Sequence, residues 1–182
     1  MSDPIDDEAD PRRHPELVSW LAERADAFEE WAQATGTPER WDFSAESLAA
    51  LEDLVRRTFT DEEGFLSARS EPFVQGAVWY VGEILRRHKG AMWAFDPWSP
   101  DSDDPPRMFT PEHPAVDDTP YVILPDFDED DEPLANEDRT LFPLGTLTAL
   151  YWSTDELDNP IDVHLGDLLD DERLRDLLDP EV

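Results

Sequence analysis

The stretch FVQGAVWYVGEILRRHKGAMW, residues 73–93, is the longest apolar run in a highly acidic chain. Placed on a helix at about 100° per residue, its apolar side chains fall on one broad face. They are Phe73, Val74, Ala77, Val78, Tyr80, Val81, Ile84, Leu85 and His88. Ser70 suits the N-cap, Pro72 the first turn, and Gly90 the left-handed residue that ends a helix. The pattern predicts a core helix over residues 72–89.

The opposite face of this predicted helix carries two glycines, Gly76 and Gly82, beside Trp79 and Glu83. Because glycine has no side chain, this face has a shallow trough. A segment of the same chain can fill the trough while Glu83 pairs with an arginine of the last turn. A ligand or a partner can also lie there. Trp79 and Glu83 are therefore candidate partner-binding residues.

Apolar residues at helical spacing predict four further helices. Their ranges are 15–34, 45–58, 143–151 and 168–178. Aromatic and β-branched residues predict short strands at 92–95 and 121–124, and residues 107–110 are a candidate third strand. The expected fold class is α+β, with a helical N-terminal half packed on the central helix 72–89. The C-terminal half is expected to hold a small β-sheet and the remaining helices.

The domain organisation follows from length and local composition. A chain of 182 residues can bury one core of ordinary size, so we expect a single domain over residues 14–179. Residues 1–13 are acidic and contain proline, which predicts a disordered lead-in. Residues 96–119 are rich in proline and are expected to form an irregular excursion, while residues 126–138 are expected to form an acidic loop.

The charge imbalance restricts the class of partner. The chain has 46 acidic and 14 basic residues, a formal net charge of −32. Nucleic acid and anionic membranes are poor direct partners, because the field of the protein repels them. A basic protein surface is the partner that this charge favours. The same acidity is also typical of proteins from a generally acidic proteome, and the sequence leaves both explanations open.

Redox chemistry and targeting are constrained as well. Without cysteine the chain has no disulfide, no catalytic thiol and no cysteine-ligated zinc. The first ten residues lack the charged and then apolar pattern of a secretion signal, and no apolar run approaches membrane-spanning length. We therefore expect a soluble cytoplasmic protein.

No residue pattern indicates a catalytic, cofactor or metal site. The four histidines are scattered along the sequence. Asp126, Asp128 and Asp130 alternate as the first ligands of a calcium loop do, but Asp131 occupies the position that requires glycine. We therefore expect these four aspartates to belong to an acidic, partner-binding loop rather than to a dedicated calcium site.

A short motif in the central helix carries a resemblance. An aromatic residue followed by Val-Gly-Glu precedes Gly-x-x-Trp. With the order of predicted elements, this resembles a loose group of small acidic bacterial proteins over about half of the chain. Some of that group are uncharacterised domains and some are immunity proteins of polymorphic toxins. The matching residues are Tyr80, Val81, Gly82, Glu83, Gly90 and Trp93. The resemblance implies a non-enzymatic binding protein with no catalytic residues.

These observations predict an acidic protein-binding protein, of inhibitor or immunity type, that covers a basic surface of a partner such as a toxin. Charge would speed the encounter, and exposed tryptophans would anchor the complex, with Trp79 and Trp98 as the best candidates. The alternative is a DNA mimic whose carboxylates occupy a nucleic-acid-binding protein. A second alternative is an enzyme, for which the sequence offers no nameable catalytic set.

Overall fold

The fold was analysed in a computed structural model that describes residues 10–97, 107–109, 118–125, 139–152 and 163–178, except for the side chains of 175–177. These residues form seven α-helices and one antiparallel sheet of three short strands. The predicted α+β class is therefore confirmed. The acidic loop predicted at 126–138 and most of the proline-rich excursion lie outside the described residues.

The elements follow one another along the chain, with three further 3-10 helices between them. The α-helices are α1 (Pro15–Asp26), α2 (Phe28–Ala34), α3 (Ala45–Thr58), α4 (Glu62–Ser67), α5 (Pro72–Lys89), α6 (Pro143–Ala149) and α7 (Asp171–Leu178). The strands are β1 (Met92–Ala94), β2 (Tyr121–Ile123) and β3 (Thr140–Leu141). The 3-10 helices are Pro11–Arg13, Pro38–Arg40 and Leu165–Leu169.

The helices predicted at 45–58 and 72–89 have the expected bounds. Ser44 caps α3, its Oγ accepting from the backbone N–H of Ser47 at 3.2 Å. Gly90 ends α5 with φ of 73°, as its left-handed role requires. The prediction of Ser70 as the N-cap of α5 is wrong. Glu71 holds that position without a side-chain hydrogen bond, because Pro72 begins the helix.

Two other predictions need correction. The helix expected over 15–34 is two helices, α1 and α2, separated at Ala27. The third strand is β3, and not residues 107–110: Phe109 adopts φ of 59° in a turn and donates its N–H to the carbonyl of Asp118 at 3.0 Å. Helix α4 was not predicted, since six residues give too short a periodic signal.

The sheet has the order β1–β2–β3, with Trp93 opposite Val122 and Val122 opposite Leu141. The outer side of β1 is covered by the N-terminal 3-10 helix, whose Pro11 carbonyl accepts from the N–H of Phe95 at 3.0 Å. The expectation that residues 10–13 belong to a disordered lead-in is therefore wrong. The Pro11 carbonyl accepts from the backbone N–H of the residue that follows β1.

The core is organised around α5, which is buried on every side. From Val74 to Leu85 its residues are buried, with Gln75 partly exposed. Of the two interpretations of the trough, the one in which the same chain fills it is confirmed, because aromatic rings from two other segments lie there. A Cβ on Gly76 would lie 2.7 Å from Cγ of Trp31, and one on Gly82 would lie 2.9 Å from Cε2 of Trp93, with other ring atoms nearer still. The chain itself occupies the trough.

Of the described helices, none combines the length and apolarity that crossing a membrane requires.

Candidate partner-binding surface

Trp79 does not lie on the surface, although the sequence suggested an exposed anchor. It is 6% exposed and packs against Phe28 and Phe43, with ring centroids 5.5 and 6.1 Å away. Helix α2 and the loop before α3 supply these rings. The expectation that Trp79 is exposed is therefore wrong, since binding a partner through this ring would require the core to open.

Glu83 is buried beside it and is held within the chain, as one of the two interpretations of the trough required. Arg86 binds both carboxylate oxygens at 2.9 Å, and Arg87 lies 3.6 Å from Oε2. Trp93 donates its indole N–H to Oε1 at 3.0 Å. Burial alone would raise the pKa of Glu83, but the hydrogen bonds from Arg86 and Trp93 outweigh it and lower the pKa. Glu83 is therefore an ionised carboxylate that fixes the end of α5 to β1.

The other predicted binding residues lie outside the described part of the chain. They are Trp98, Asp126, Asp128, Asp130 and Asp131. Their contribution to partner binding stays a prediction.

Among the described tryptophans, the exposed ring belongs to Trp152, which follows α6. It is 48% exposed, whereas the other five are at most 8% exposed. The helix predicted over 143–151 ends just before Trp152, and the exposure of this ring was not predicted. The signal was present, because Trp152 is the last apolar residue before the polar sequence Ser-Thr-Asp-Glu. An exposed tryptophan is a typical anchor at protein interfaces.

An open groove of about 900 Å³ runs along α4 to the start of α5. The residues that line it include Asp61, Glu62, Glu63, Leu66, Arg69 and Ser70. Asp61 caps α4 by accepting from the N–H of Gly64 at 2.8 Å. Three consecutive carboxylates therefore border the groove, and Leu66 adds an apolar contact. This composition suits a segment that carries lysine or arginine.

The basic residue of the groove does not offset these carboxylates. Arg69 is 8% exposed and lies 4.0 Å from the carboxylate of Asp118, which is 1% exposed. The two opposite charges compensate each other in the interior. The net charge that the groove presents to a partner is therefore negative.

Packing places α4 and the end of α6 side by side. The ring of Phe65 in α4 lies 5.9 Å from the ring of Tyr151, which precedes Trp152. The hydroxyl of Tyr151 donates to the carbonyl of Val55 at 3.1 Å. Burial raises the pKa of Tyr151, the positive charge of Arg56 lowers it, and the negative charge of Asp61 raises it further. Helix α4, which borders the groove, thus neighbours the segment that leads to Trp152.

A second, smaller cleft of about 280 Å³ lies at the start of α3, between Arg40, Asp42 and Glu46. Beneath it, the Tyr80 hydroxyl accepts from the N–H of Phe43 at 2.8 Å and donates to Oγ of Ser47 at 2.7 Å. Burial raises the pKa of Tyr80, although its hydrogen bonds act in the opposite direction. The hydroxyl therefore keeps its proton and acts as a structural bridge.

Phe43 beside this cleft has φ of 63°, a conformation that is rare for a bulky residue. Its carbonyl is 2.7 Å from Nε2 of His88, and the guanidinium of Arg87 stacks 3.6 Å from its ring centroid. Together with Tyr80, these contacts hold the turn in place. Arg87 and His88, at the end of α5, therefore make contacts within the chain.

Within the described ranges, no group of three or more histidine, cysteine, aspartate or glutamate side chains is placed to hold a metal ion. His14 packs edge-on against Phe95, and His164 lies 3.0 Å from the carboxylate of Glu52. His113 lies outside the described residues.

Comparisons with known proteins add no relative. Neither a family model, nor a curated protein, nor a solved structure matches this chain.

Proposed function

We propose that this protein is a non-enzymatic acidic binding protein, of inhibitor or immunity type, that covers a basic surface of a protein partner. The proposal rests on the groove along α4, where three consecutive carboxylates border an open channel, and on the exposed Trp152, which follows the neighbouring helix α6. The formal charge of −32 supports it, because a field of this size accelerates the encounter with a basic protein.

The two parts of this surface have different roles. Carboxylates at the rim of an interface act mainly on the association rate, since they attract the partner before contact. An aromatic ring that becomes buried in the complex acts mainly on the dissociation rate. The groove carboxylates would therefore set the on-rate, and Trp152 would set the off-rate.

The test begins with capture of a partner from a lysate of the source cells on the immobilised protein. The captured protein is then purified, and its binding kinetics are measured across a salt series. The groove variant combines Asp61→Asn, Glu62→Gln and Glu63→Gln. Asparagine keeps the capping acceptor at position 61, so α4 is retained. We expect a lower on-rate and a weaker salt dependence for this variant, and a raised off-rate for Trp152→Ala.

A matched control removes three charges elsewhere. Glu23, Glu29 and Glu30 are exposed on α1 and α2, so their change to glutamine alters the net charge by the same amount. We expect this variant to lose less of the on-rate than the groove variant. A salt-independent on-rate for the wild-type protein would contradict the proposal. The proposal would also be contradicted if no partner were captured and the purified protein converted a small molecule.

The same experiment distinguishes the DNA-mimic alternative. Exposed carboxylates also lie on α1 and α2, where Glu23, Asp26 and Glu30 are spaced along two consecutive helices. A partner that releases its nucleic acid on binding, and whose on-rate depends on these carboxylates more than on the groove, would favour a DNA mimic.

A further inference from the structure

The C-terminal part of the described chain, residues 163–178, docks onto the helical core through a small set of polar contacts. It comprises the 3-10 helix Leu165–Leu169 and α7, and we call it the latch. Leu165, Leu168 and Leu174 of the latch are completely buried. The latch packs on α3 and α5. An apolar side of the core is therefore covered by a segment that is separate from it in sequence.

One buried carboxylate makes several of these polar contacts. Glu52 of α3 is 8% exposed, and its Oε2 accepts from the N–H of Leu165 at 3.0 Å. Its Oε1 accepts from Nε of Arg56 and lies within 3.0 Å of Nδ1 of His164. Two of these contacts come from the latch and one comes from α3 itself. Glu52 and Arg56 together form what we call the clamp.

Arg56 extends the clamp to α6. Its guanidinium donates to the carbonyl of Val163, at the beginning of the latch, at 3.3 Å. It also donates to the carbonyl of Leu150, two residues before Trp152. The clamp thus fixes the entry to the latch and the end of α6 at the same time. A change in the clamp acts on both segments.

A second contact holds the middle of the latch, between its 3-10 helix and α7. Lys89, near the end of α5, donates to the carbonyl of Leu169 at 2.8 Å and pairs with the carboxylate of Asp171. The polar contacts of the latch thus lie at its entry and where its two helices meet, while Leu165, Leu168 and Leu174 are buried. Proteins open locally in contiguous cooperative units that can be smaller than the whole domain.

We infer that the latch is a releasable element, held by the Glu52–Arg56 clamp, whose opening uncovers the side of α3 and α5 beneath it and loosens the surroundings of Trp152. This device is independent of the proposed function, because it follows from contacts within the chain. It gives the protein a means of changing its surface next to the exposed tryptophan without unfolding α5.

The test is amide hydrogen exchange on the full chain with Glu52→Gln. Glutamine keeps the shape of glutamate but replaces one acceptor oxygen with an NH₂ donor. This donor would face either the N–H of Leu165 or the Nε–H of Arg56, so one of these hydrogen bonds is lost. We expect amides of residues 163–178 to exchange at least about tenfold faster, and those of residues 149–152 to follow. Amides of α5 should keep the wild-type rate.

Asp53→Asn is the matched control. Asp53 neighbours Glu52 on α3 and loses the same charge, but its side chain is exposed. We expect wild-type exchange throughout for this variant. The inference would be overturned if the amides of the latch exchanged at the wild-type rate in Glu52→Gln. It would also be overturned if exchange became faster by the same factor in the latch and in α5.

Lys89→Gln tests the latch independently, should Glu52→Gln fail to fold. It removes the charged contact between the 3-10 helix and α7 and leaves the clamp intact. The expected result is again faster exchange confined to the latch. Acceleration of α5 to the same extent would show that the latch and the core open as one unit, and that no releasable element exists.

Discussion

The sharpest consequence of the fold concerns Gly82, where a single methyl group should be costly. In an exposed helix, glycine to alanine stabilises by about 1 kcal/mol. In α5 the added Cβ would overlap the six-membered ring of Trp93, whose Cε2 would be 2.9 Å away and whose outer ring atoms would be nearer. Ordinary van der Waals contact begins at about 3.5 Å. Trp93 must therefore move when Gly82→Ala is introduced.

The size of the effect can be worked from the contacts that this movement breaks. Overpacking of a close-packed core costs about 1–3 kcal/mol. Displacement of Trp93 also removes the indole hydrogen bond to the buried carboxylate of Glu83, which costs about 1.5–3 kcal/mol. After subtraction of the helix-propensity gain, the expected loss of unfolding free energy is about 1.5–5 kcal/mol. This is a large part of the stability of an ordinary domain.

Urea unfolding followed by far-ultraviolet circular dichroism measures this loss, with the dependence on urea concentration fitted separately for each variant. Gly166→Ala is the matched control, because a Cβ on Gly166 meets no atom within 4 Å. It should leave the midpoint unchanged or raise it slightly. A Gly82→Ala protein as stable as wild type would refute the close packing of Trp93 on α5.

Three other outcomes follow from the same core. Ile84→Ala should lower the unfolding free energy by about 2–5 kcal/mol in urea titrations, because Ile84 is fully buried. Trp79→Ala should destabilise by about 3–5 kcal/mol in the same assay, which an exposed ring would not do. Because the pKa of Glu83 is lowered on folding, its stabilising contribution is present above the unfolded glutamate pKa of about 4.3. It should fall away as the pH drops from there through the lower folded value. Thermal melts from pH 6 down to about pH 3 should show a smaller acid loss in Glu83→Gln than in wild type; equal slopes would contradict this assignment.

The sequence was most informative where apolar periodicity is long. Helix α5 is 18 residues long and is bounded by proline and glycine, so both of its ends were predicted. Short elements contain too few residues for a periodic apolar pattern to be recognised. Strand β3 has two residues and α4 has six, and neither was found. The groove consequently could not be predicted either, since α4 forms its wall.

The role of Trp79 was misjudged for a different reason. Helical periodicity assigns one face to the core and assumes that the opposite face meets water. Around α5, aromatic residues distant in sequence cover that opposite face, including Trp31 at Gly76 and Trp93 at Gly82. Such packing depends on tertiary contacts that periodicity does not contain. The two glycines indicated that a segment of the chain could fill the trough, because they allow close approach to the helix backbone, but they did not identify the rings that do so.

Burial of these aromatic rings also limits the ways in which the proposed surface can bind. Among the described residues, the large exposed apolar side chains are Val18, Met92 and Trp152. With so few, specificity would depend on where the carboxylates lie around Trp152. If the acidity were only a general property of the proteome, any three exposed carboxylates would contribute equally to the on-rate. A lower on-rate for the groove variant than for its equally charged control on α1 and α2 would therefore indicate a functional surface. The total charge of the protein cannot make this distinction.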